Sequence, residues 1–234
     1  MVVKELKFVE ETHTYSVGDK VLTSVTTFIH KFFPEFNLKM MSRLVAKRRR
    51  EKGELNKNGK PLNARDVKKE WALKGDIARS AGTLTHLEIE EFIKGNYSEI
   101  EFPVLTPKAQ QGIKWFMKSP YAKSKVVTEE RIFDEELGLA GTIDVSVYKD
   151  KEVTLIDWKT NKAIKKRGYG KGSCGLPNAN YYHYTLQLSV YAYMLERQGY
   201  IIKDLILAHL KDDGVSVYEI EYRKDVVEGM FENE

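Results

Sequence analysis

Three β-like segments follow one another over residues 125–134, 139–148 and 152–159, joined only by "EELG" and "KDKE". Links this short leave no room for a crossover helix, so the three strands must form an antiparallel meander. The last of them, "EVTLIDWK", is apolar enough to be buried but carries Asp157 and Lys159 two residues apart. Opposite charges in a buried strand are costly unless they have partners or a task.

The elements around the meander can be read in turn. Residues 5–23 alternate apolar and polar around Gly18-Asp19, the pattern of a β-hairpin. Ser24 can cap a helix running to about Phe33, with Pro34 as its stop. Residues 37–52 read as a second helix, and "RRREKGELNKNGKPLN" as a basic polar loop. Residues 64–79 and 82–94 read as two more helices, the second ended by Gly95. Pro107 fits the first turn of a helix reaching about Lys118. Beyond the meander come a Gly-rich loop over 167–180, an amphipathic helix over 181–197, strands near 204–210 and 215–222, and a short final helix. This order predicts an α/β (α+β) fold: a central mixed sheet flanked by helices, with a helical N-terminal part. Residues 1–234 read as one domain, with the hairpin and helices in 1–100 and the core in 101–234.

Composition narrows the class. The 234 residues are 42% hydrophobic, enough for a sizeable core. No apolar run is long enough to span a bilayer, and the N-terminus lacks a signal-peptide pattern, so a cytoplasmic protein without a membrane partner is expected. One cysteine, Cys174, excludes an intrachain disulfide and any four-cysteine zinc or iron–sulfur site within one chain. Residues 39–74 hold 13 Lys/Arg against 4 Asp/Glu, a local +9 in a chain of net +4, so the remainder is −5. A basic block beside an acidic remainder suits a polyanionic partner near an acidic, metal-holding centre; a solvated helix face fits it equally well.

The acidic residues cluster in "GTIDVSVYKDKEVTLIDWKTNK", residues 141–162. By the two-residue period Val153, Leu155, Asp157 and Lys159 share one face, and Thr154, Ile156 and Trp158 the other. If Asp150–Lys151 is the turn, paired positions sum to 301 and Asp144 lies opposite Asp157. Adjacent carboxylates repel, which raises the pKa of one. A hard divalent cation such as Mg²⁺ removes that conflict with oxygen ligands. Lys159 can then orient a water or stabilise charge on a phosphate. The plain alternative is a salt bridge in a hairpin.

The Gly-x-x-Asp strand, short turn and Asp-Trp-Lys strand end together resemble the PD-(D/E)XK nuclease superfamily. The resemblance implies metal-binding and catalytic roles for Asp144 and Asp157, a catalytic role for Lys159, and a metal contact from the Trp158 backbone carbonyl. Upstream, "GTLTHLEIEEF" places His86 and Glu90 four residues apart and looks like the RecB-type and phage (lambda) exonuclease-like branch, in which the helical His is a metal ligand; Glu90 either acts with it or only braces the helix. "VVTEERIF" supplies the acidic residue common just before the Gly-x-x-Asp strand, with Glu129 fitting best and Glu130 next. Gln187 and Tyr191 match the branch's Gln-x-x-x-Tyr motif, which helps place DNA. The five motifs fall in family order over residues 82–196, and "THTYSV…LTSVTTFI" near the start is a softer match. Two family features are absent: the four-cysteine iron–sulfur cluster, and a P-loop that would mark a motor in the same chain.

The loop after the meander interleaves Lys162, Lys165, Lys166, Arg167 and Lys171 with Tyr169, Tyr181, Tyr182 and Tyr184. Basic groups track phosphates and aromatic rings stack on unpaired bases, although some of these tyrosines could equally be core residues of the next helix. The expectation is therefore a DNA exonuclease using one or two Mg²⁺ or Mn²⁺ ions, acting on single-stranded DNA or DNA ends. A structure-specific endonuclease and a non-catalytic nucleic-acid-binding relative are the alternatives. By analogy with ring-forming relatives, the basic block could line the channel of a homotrimer.

Overall fold

A computed structural model describes residues 5–12, 14–96 and 104–232. His13 of the "THTYSV" motif lies outside the described residues. The chain divides into two compact units, residues 1–34 with 85–234 and residues 35–84.

The larger unit is built on one eight-stranded mixed sheet. Its first strands are β1 (Leu6–Val9), β2 (Thr14–Val17) and β3 (Lys20–Ser24). They pair antiparallel in sequence, so the expected N-terminal hairpin is a three-strand meander, with the Gly18-Asp19 turn joining β2 and β3. The predicted central meander is present as β4 (Lys125–Asp134), β5 (Leu139–Lys149) and β6 (Glu152–Lys159). β7 (Ile201–Lys211) lies parallel to β6, and β8 (Gly214–Glu219) pairs antiparallel with β7.

Helices cover both faces of this sheet. Along β6, Val153 and Leu155 belong to one core and Ile156 and Trp158 to another, so the two cores lie on opposite faces. The first core packs under α1 (Val25–His30), α5 (Asn180–Arg197) and α6 (Lys224–Glu232). The second packs under α4 (Pro107–Lys118) and takes Ile89 from α3 (Ala64–Ile93). The caps follow the sequence. Ser24 Oγ accepts from the Thr27 N–H, and Thr106 Oγ1 caps α4 with Pro107 in its first turn. α5 is buried on most sides rather than on one stripe, as a helix against the sheet centre must be. This mixed α/β arrangement is compatible with a restriction-endonuclease-like core.

The two helices predicted over 64–79 and 82–94 are one helix of 30 residues, α3. Gly82 invited the break, but an internal glycine costs only about 1 kcal/mol in a helix. No proline stands nearby to remove a hydrogen bond.

The smaller unit contains α2 (Leu38–Glu51) and the N-terminal part of α3, around Ala46, Leu62 and Val67. Asn63 Oδ1 accepts from the Arg65 and Asp66 N–H groups while Asp66 Oδ2 accepts from the Asn63 N–H, a reciprocal cap. Arg49 joins Glu54 and Glu70, each at 2.7 Å, so part of the basic block is internally neutralised. No helix among the described residues is long and apolar enough to cross a membrane.

Candidate active site

The site lies where the sheet opens. Strand β5 pairs with β4 along one edge. On its other edge β3 takes Leu139 and Ala140 while β6 takes Val145 to Lys149. Gly141 to Asp144 therefore have no strand partner on that edge among the described pairings. The hairpin register sums to 301, as expected from an Asp150–Lys151 turn, and its pairing stops at Val145–Ile156. Beyond that point β5 and β6 part. The Asp144 carboxylate stands in the fork and accepts the Trp158 backbone N–H at 2.7 Å. Above it, Tyr191 of α5 lies so close to Gly141 that a Cβ there would meet the ring at 2.6–3.0 Å. Gly141 is required by this approach, since its own backbone lies outside the left-handed region.

A second irregularity faces the first. Glu129, mid-strand in β4, has φ +48°, a left-handed conformation unusual for a residue with a side chain. It falls between the Thr128–Val145 and Glu130–Ile143 pairs. The pleat inverts here. Ile143 belongs to the core under α5, but Val145, two residues on, belongs to the core under α4. On β4, Ile132 and Val126 divide the same way. A regular strand would keep each pair on one face. The inversion turns Glu129 toward Asp144.

The Glu129 and Asp144 carboxylates and the His86 imidazole, carried on α3, offer ligand atoms that all lie within 4.8 Å of one another. His86 Nδ1 is 3.5 Å from Asp144 Oδ2. The group is half-buried and could hold a metal ion. Its electrostatics show why. Burial, then the Asp144 charge, push the Glu129 carboxyl up to about 7. Burial acts against a charged Asp144, but the His86 charge and hydrogen bond, with the Lys159 charge and the Trp158 N–H, outweigh it and hold that carboxyl below its ordinary value. Burial likewise acts against a protonated His86, and Asp144 outweighs it in the other direction. Two carboxylates this close raise the pKa of one of them, here Glu129, and a bound cation would relieve the same conflict.

Asp157 and Lys159 occupy the α5 side of β6, as the two-residue period requires. Asp157 is only 4% exposed. Its Oδ1 accepts from Lys159 Nζ at 2.8 Å, while Oδ2 lies 2.7 Å from the same nitrogen without hydrogen-bond geometry. Burial, only partly offset by Lys159, pushes the Asp157 carboxyl up to about 6. The Lys159 ammonium also lies 3.5 Å from Gln187 Oε1 and 4.7 Å from the centre of the Tyr184 ring. Burial disfavours its charge, but Asp157 and Asp144 outweigh that and hold its pKa above the ordinary lysine value. Gln187 is also hydrogen-bonded to the Tyr191 side chain, so the Gln-x-x-x-Tyr pair links the lysine to the fork at Gly141.

The structure thus brings His86, Glu129 and Asp144 into one group, and Asp157, Lys159 and Gln187 into a second beside it. Asp157 is engaged by Lys159 and does not join the trio. Glu130 points elsewhere, with both carboxylate oxygens 2.8 Å from the Tyr148 hydroxyl. Glu90 pairs with Lys94 on its own helix. The Trp158 indole is buried edge-on to Trp115, with ring centres 5.6 Å apart. Lys162, Lys165, Lys166 and Arg167 are exposed, and Tyr169 is 97% exposed. Tyr181, Tyr182 and Tyr184 pack partly against the core.

Two residues near the site carry no signal in the sequence. Lys108 Nζ donates to the Thr160 carbonyl at 2.8 Å, and His209 Nε2 lies 2.6 Å from the Asn161 carbonyl. With the Asn161 amide on the Tyr184 hydroxyl at 2.7 Å, three elements fix the chain just after Lys159. Nothing local marks them, because Lys108 and His209 meet the loop only through packing and the parallel β6–β7 register.

No protein-family model and no curated protein matches the chain. Several solved structures are similar in part, two of them as follows. One, a protein of Eubacterium rectale assigned provisionally as an exonuclease, is 12% identical with a TM-score of 0.45; the match covers 65% of this chain and 64% of that one, less than two thirds of the relative's length. The other, SSO0001, is 19% identical with a TM-score of 0.36, and the match covers 89% of this chain and 80% of that one. Neither likeness is close enough to carry an argument about this chain.

Proposed function

We propose that the chain is a divalent-metal-dependent nuclease of PD-(D/E)XK type, in the RecB-like and phage-exonuclease-like branch, that hydrolyses DNA phosphodiester bonds. One observation carries this reading: Asp144 takes part in the His86–Glu129–Asp144 group and also binds the strand that bears Asp157 and Lys159. A salt-bridge reading accounts for Asp157 and Lys159, but not for two carboxylates and an imidazole gathered within 4.8 Å.

The donor set suits Mg²⁺ or Mn²⁺. His86, Glu129 and Asp144 would hold the ion, with Asp157 and the Trp158 carbonyl as further oxygen donors. When bound, such an ion supplies Lewis acidity toward the phosphate and lowers the pKa of bound water. The chain's own residues do the rest. Lys159 keeps its charge in a buried setting and stabilises negative charge building on the phosphate. Gln187 and Tyr184 hold Lys159 in place. Lys162, Lys165, Lys166 and Arg167 follow the phosphate backbone, and exposed Tyr169 offers a stacking face for unpaired bases. Exonuclease action on single strands or DNA ends is the form of the activity we favour.

The test is digestion of end-labelled oligonucleotides, single- and double-stranded, with Mg²⁺, Mn²⁺ or EDTA, beside a covalently closed single-stranded circle. Metal-dependent release from ends with the circle left intact is the expected result. Cutting of the circle would favour an endonuclease of the same type. Metal-independent cleavage, or none of any DNA, overturns the reading.

A further inference from the structure

Beside Lys159, α1 and the start of α5 enclose a cavity of about 250 Å³. Thr26, His30, Asn178, His183, Tyr184 and Gln187 are among its walls. Two of these belong to the site already described: Gln187 lies 3.5 Å from Lys159 Nζ, and the Tyr184 ring carries that ammonium on its face. The cavity therefore opens beside that lysine.

Its chemistry is unlike that of the acidic centre. No Lys, Arg, Asp or Glu lines it. Its polar groups are amides, hydroxyls and imidazoles, beside the Tyr184 ring. Such a lining offers donors, acceptors and stacking faces, but no fixed charge to bind a phosphate. Its volume lies just under the roughly 300–1,000 Å³ of pockets for drug-sized ligands, which suits one nucleoside rather than two.

The walls are fixed in advance. Asn178 Nδ2 donates to the Pro34 carbonyl at 3.2 Å, so its Oδ1 faces His183 Nε2 at 2.9 Å as an acceptor. Nε2 must then carry the proton, and a neutral His183 keeps Nδ1 as an acceptor. Phe33 stacks on the His183 ring at 3.9 Å, and the His30 ring stands edge-on at 5.7 Å. Burial first, then the neighbouring His30, holds His183 below the ordinary histidine pKa, which favours the neutral form. The Gly-rich loop is docked as well. The Ser173 N–H donates to the Phe32 carbonyl at 2.8 Å. A Cβ on Gly168 would come within 1.7 Å of the Asn178 carbonyl oxygen, so only glycine allows the approach that sets Asn178.

We propose that this cavity seats the base and sugar of one unpaired nucleotide next to the phosphodiester presented to Lys159. The proposal rests on the nuclease reading above and deepens it: an unpaired nucleoside beside the reacting phosphate selects frayed ends and single strands over intact duplex.

The test uses the full chain and single-stranded oligonucleotides in which one base-lacking nucleotide is stepped through the first four positions from each end. A parallel set carries 2-aminopurine at the same positions and is read by fluorescence in EDTA, where no cleavage is needed. One position is expected at which loss of the base slows Mg²⁺-dependent cleavage about tenfold and at which 2-aminopurine emission changes on binding. Thr26→Trp, which fills the cavity from an exposed position, and His30→Ala, which opens it, should each erase the difference, with circular dichroism confirming the fold. Cleavage that is indifferent to base loss at every position overturns the proposal and leaves the nuclease reading intact. So does an emission change that a folded Thr26→Trp variant retains. If no DNA is cleaved, the nuclease reading fails, and the emission arm alone decides whether the cavity holds a base.

Discussion

Glu129 and Asp144 face each other across the β4–β5 ladder, and the pairing skips both while resuming in the same register on either side. The cause lies in the backbone. Glu129 holds φ +48°, which costs of order 1 kcal/mol or more for a residue with a side chain. The strain turns two carboxylates toward each other, and burial with the Asp144 charge raises the Glu129 carboxyl to about 7. Strain and a neighbouring like charge on one residue are the pattern expected of a functional position. Glu129→Gln removes the charge and keeps the shape. In EDTA at pH 8 this variant should melt a few degrees above wild type, while Mn²⁺ affinity falls at least tenfold. Calorimetry and metal titration check the two parts. Equal affinity for Mn²⁺ in both proteins would remove Glu129 from the metal site.

The pH dependence has a definite sign. Glu129 is raised from 4.5 to about 7 and Asp157 from 3.8 to about 6, both mainly by burial. Between these limits the folded protein holds protons that the unfolded chain has released. The stability contributed by the two groups is full below the unfolded values and is lost as pH rises through 6 and 7. A cation held by the His86–Glu129–Asp144 group would replace the Glu129 proton. The melting temperature in EDTA should fall from pH 5 to pH 8, and the gain on adding Mn²⁺ should grow over the same interval. A Mn²⁺ gain that is constant across the interval, measured by scanning fluorimetry, would contradict this account.

Lys159 and Asp157 are a buried ion pair, with the carboxylate 5% and the ammonium side chain 16% exposed. Losing one partner leaves the other uncompensated, which costs about 3–5 kcal/mol. Lys159→Ala and Asp157→Ala should each be strongly destabilising. The double variant should cost less than the sum, with a coupling of about 1–3 kcal/mol. Urea denaturation closes that cycle. Each single variant should also lose cleavage while keeping most DNA affinity in a filter-binding assay. Wild-type cleavage by either single variant would exclude the pair from catalysis.

Gly141 is fixed by Tyr191. An added Cβ meets the ring at 2.6–3.0 Å, and Tyr191 is buried against the core with its side chain bonded to Gln187. Gly141→Ala should cost about 1–3 kcal/mol by overpacking. It should also lower cleavage, because displacing Tyr191 moves the Gln187 contact to Lys159. Combined with Tyr191→Ala it should cost less stability than the sum of the two single losses, and recover none of the activity. Strictly additive stability losses would show that the two residues do not press on each other.

Much of this architecture is written locally. The Asp150–Lys151 turn sets the hairpin register, so the order of residues alone puts Asp144 and Asp157 at matching positions. The caps at Ser24 and Thr106, and the alternation along β6, follow from neighbours in the chain. Local signals mislead at Gly82, where continued helical hydrogen bonding outweighs the cost of one glycine. The choice between Glu129 and Glu130 is not legible, because one positive φ inverts the pleat and no residue pattern announces it. Nor is the binding of Asp157 to Lys159 apart from the His86–Glu129–Asp144 group, or the His209 and Lys108 contacts after β6. The elements, the hairpin and the residue types of the site can be read from the chain alone, since they depend on contacts a few positions apart. Tertiary packing is what selects the carboxylates that meet, forks the sheet, and brings Thr26 and His183, 157 positions apart, to one cavity. Those outcomes depend on how β3 and β6 share one edge of β5 and how α1 meets α5, and contacts between distant segments settle both.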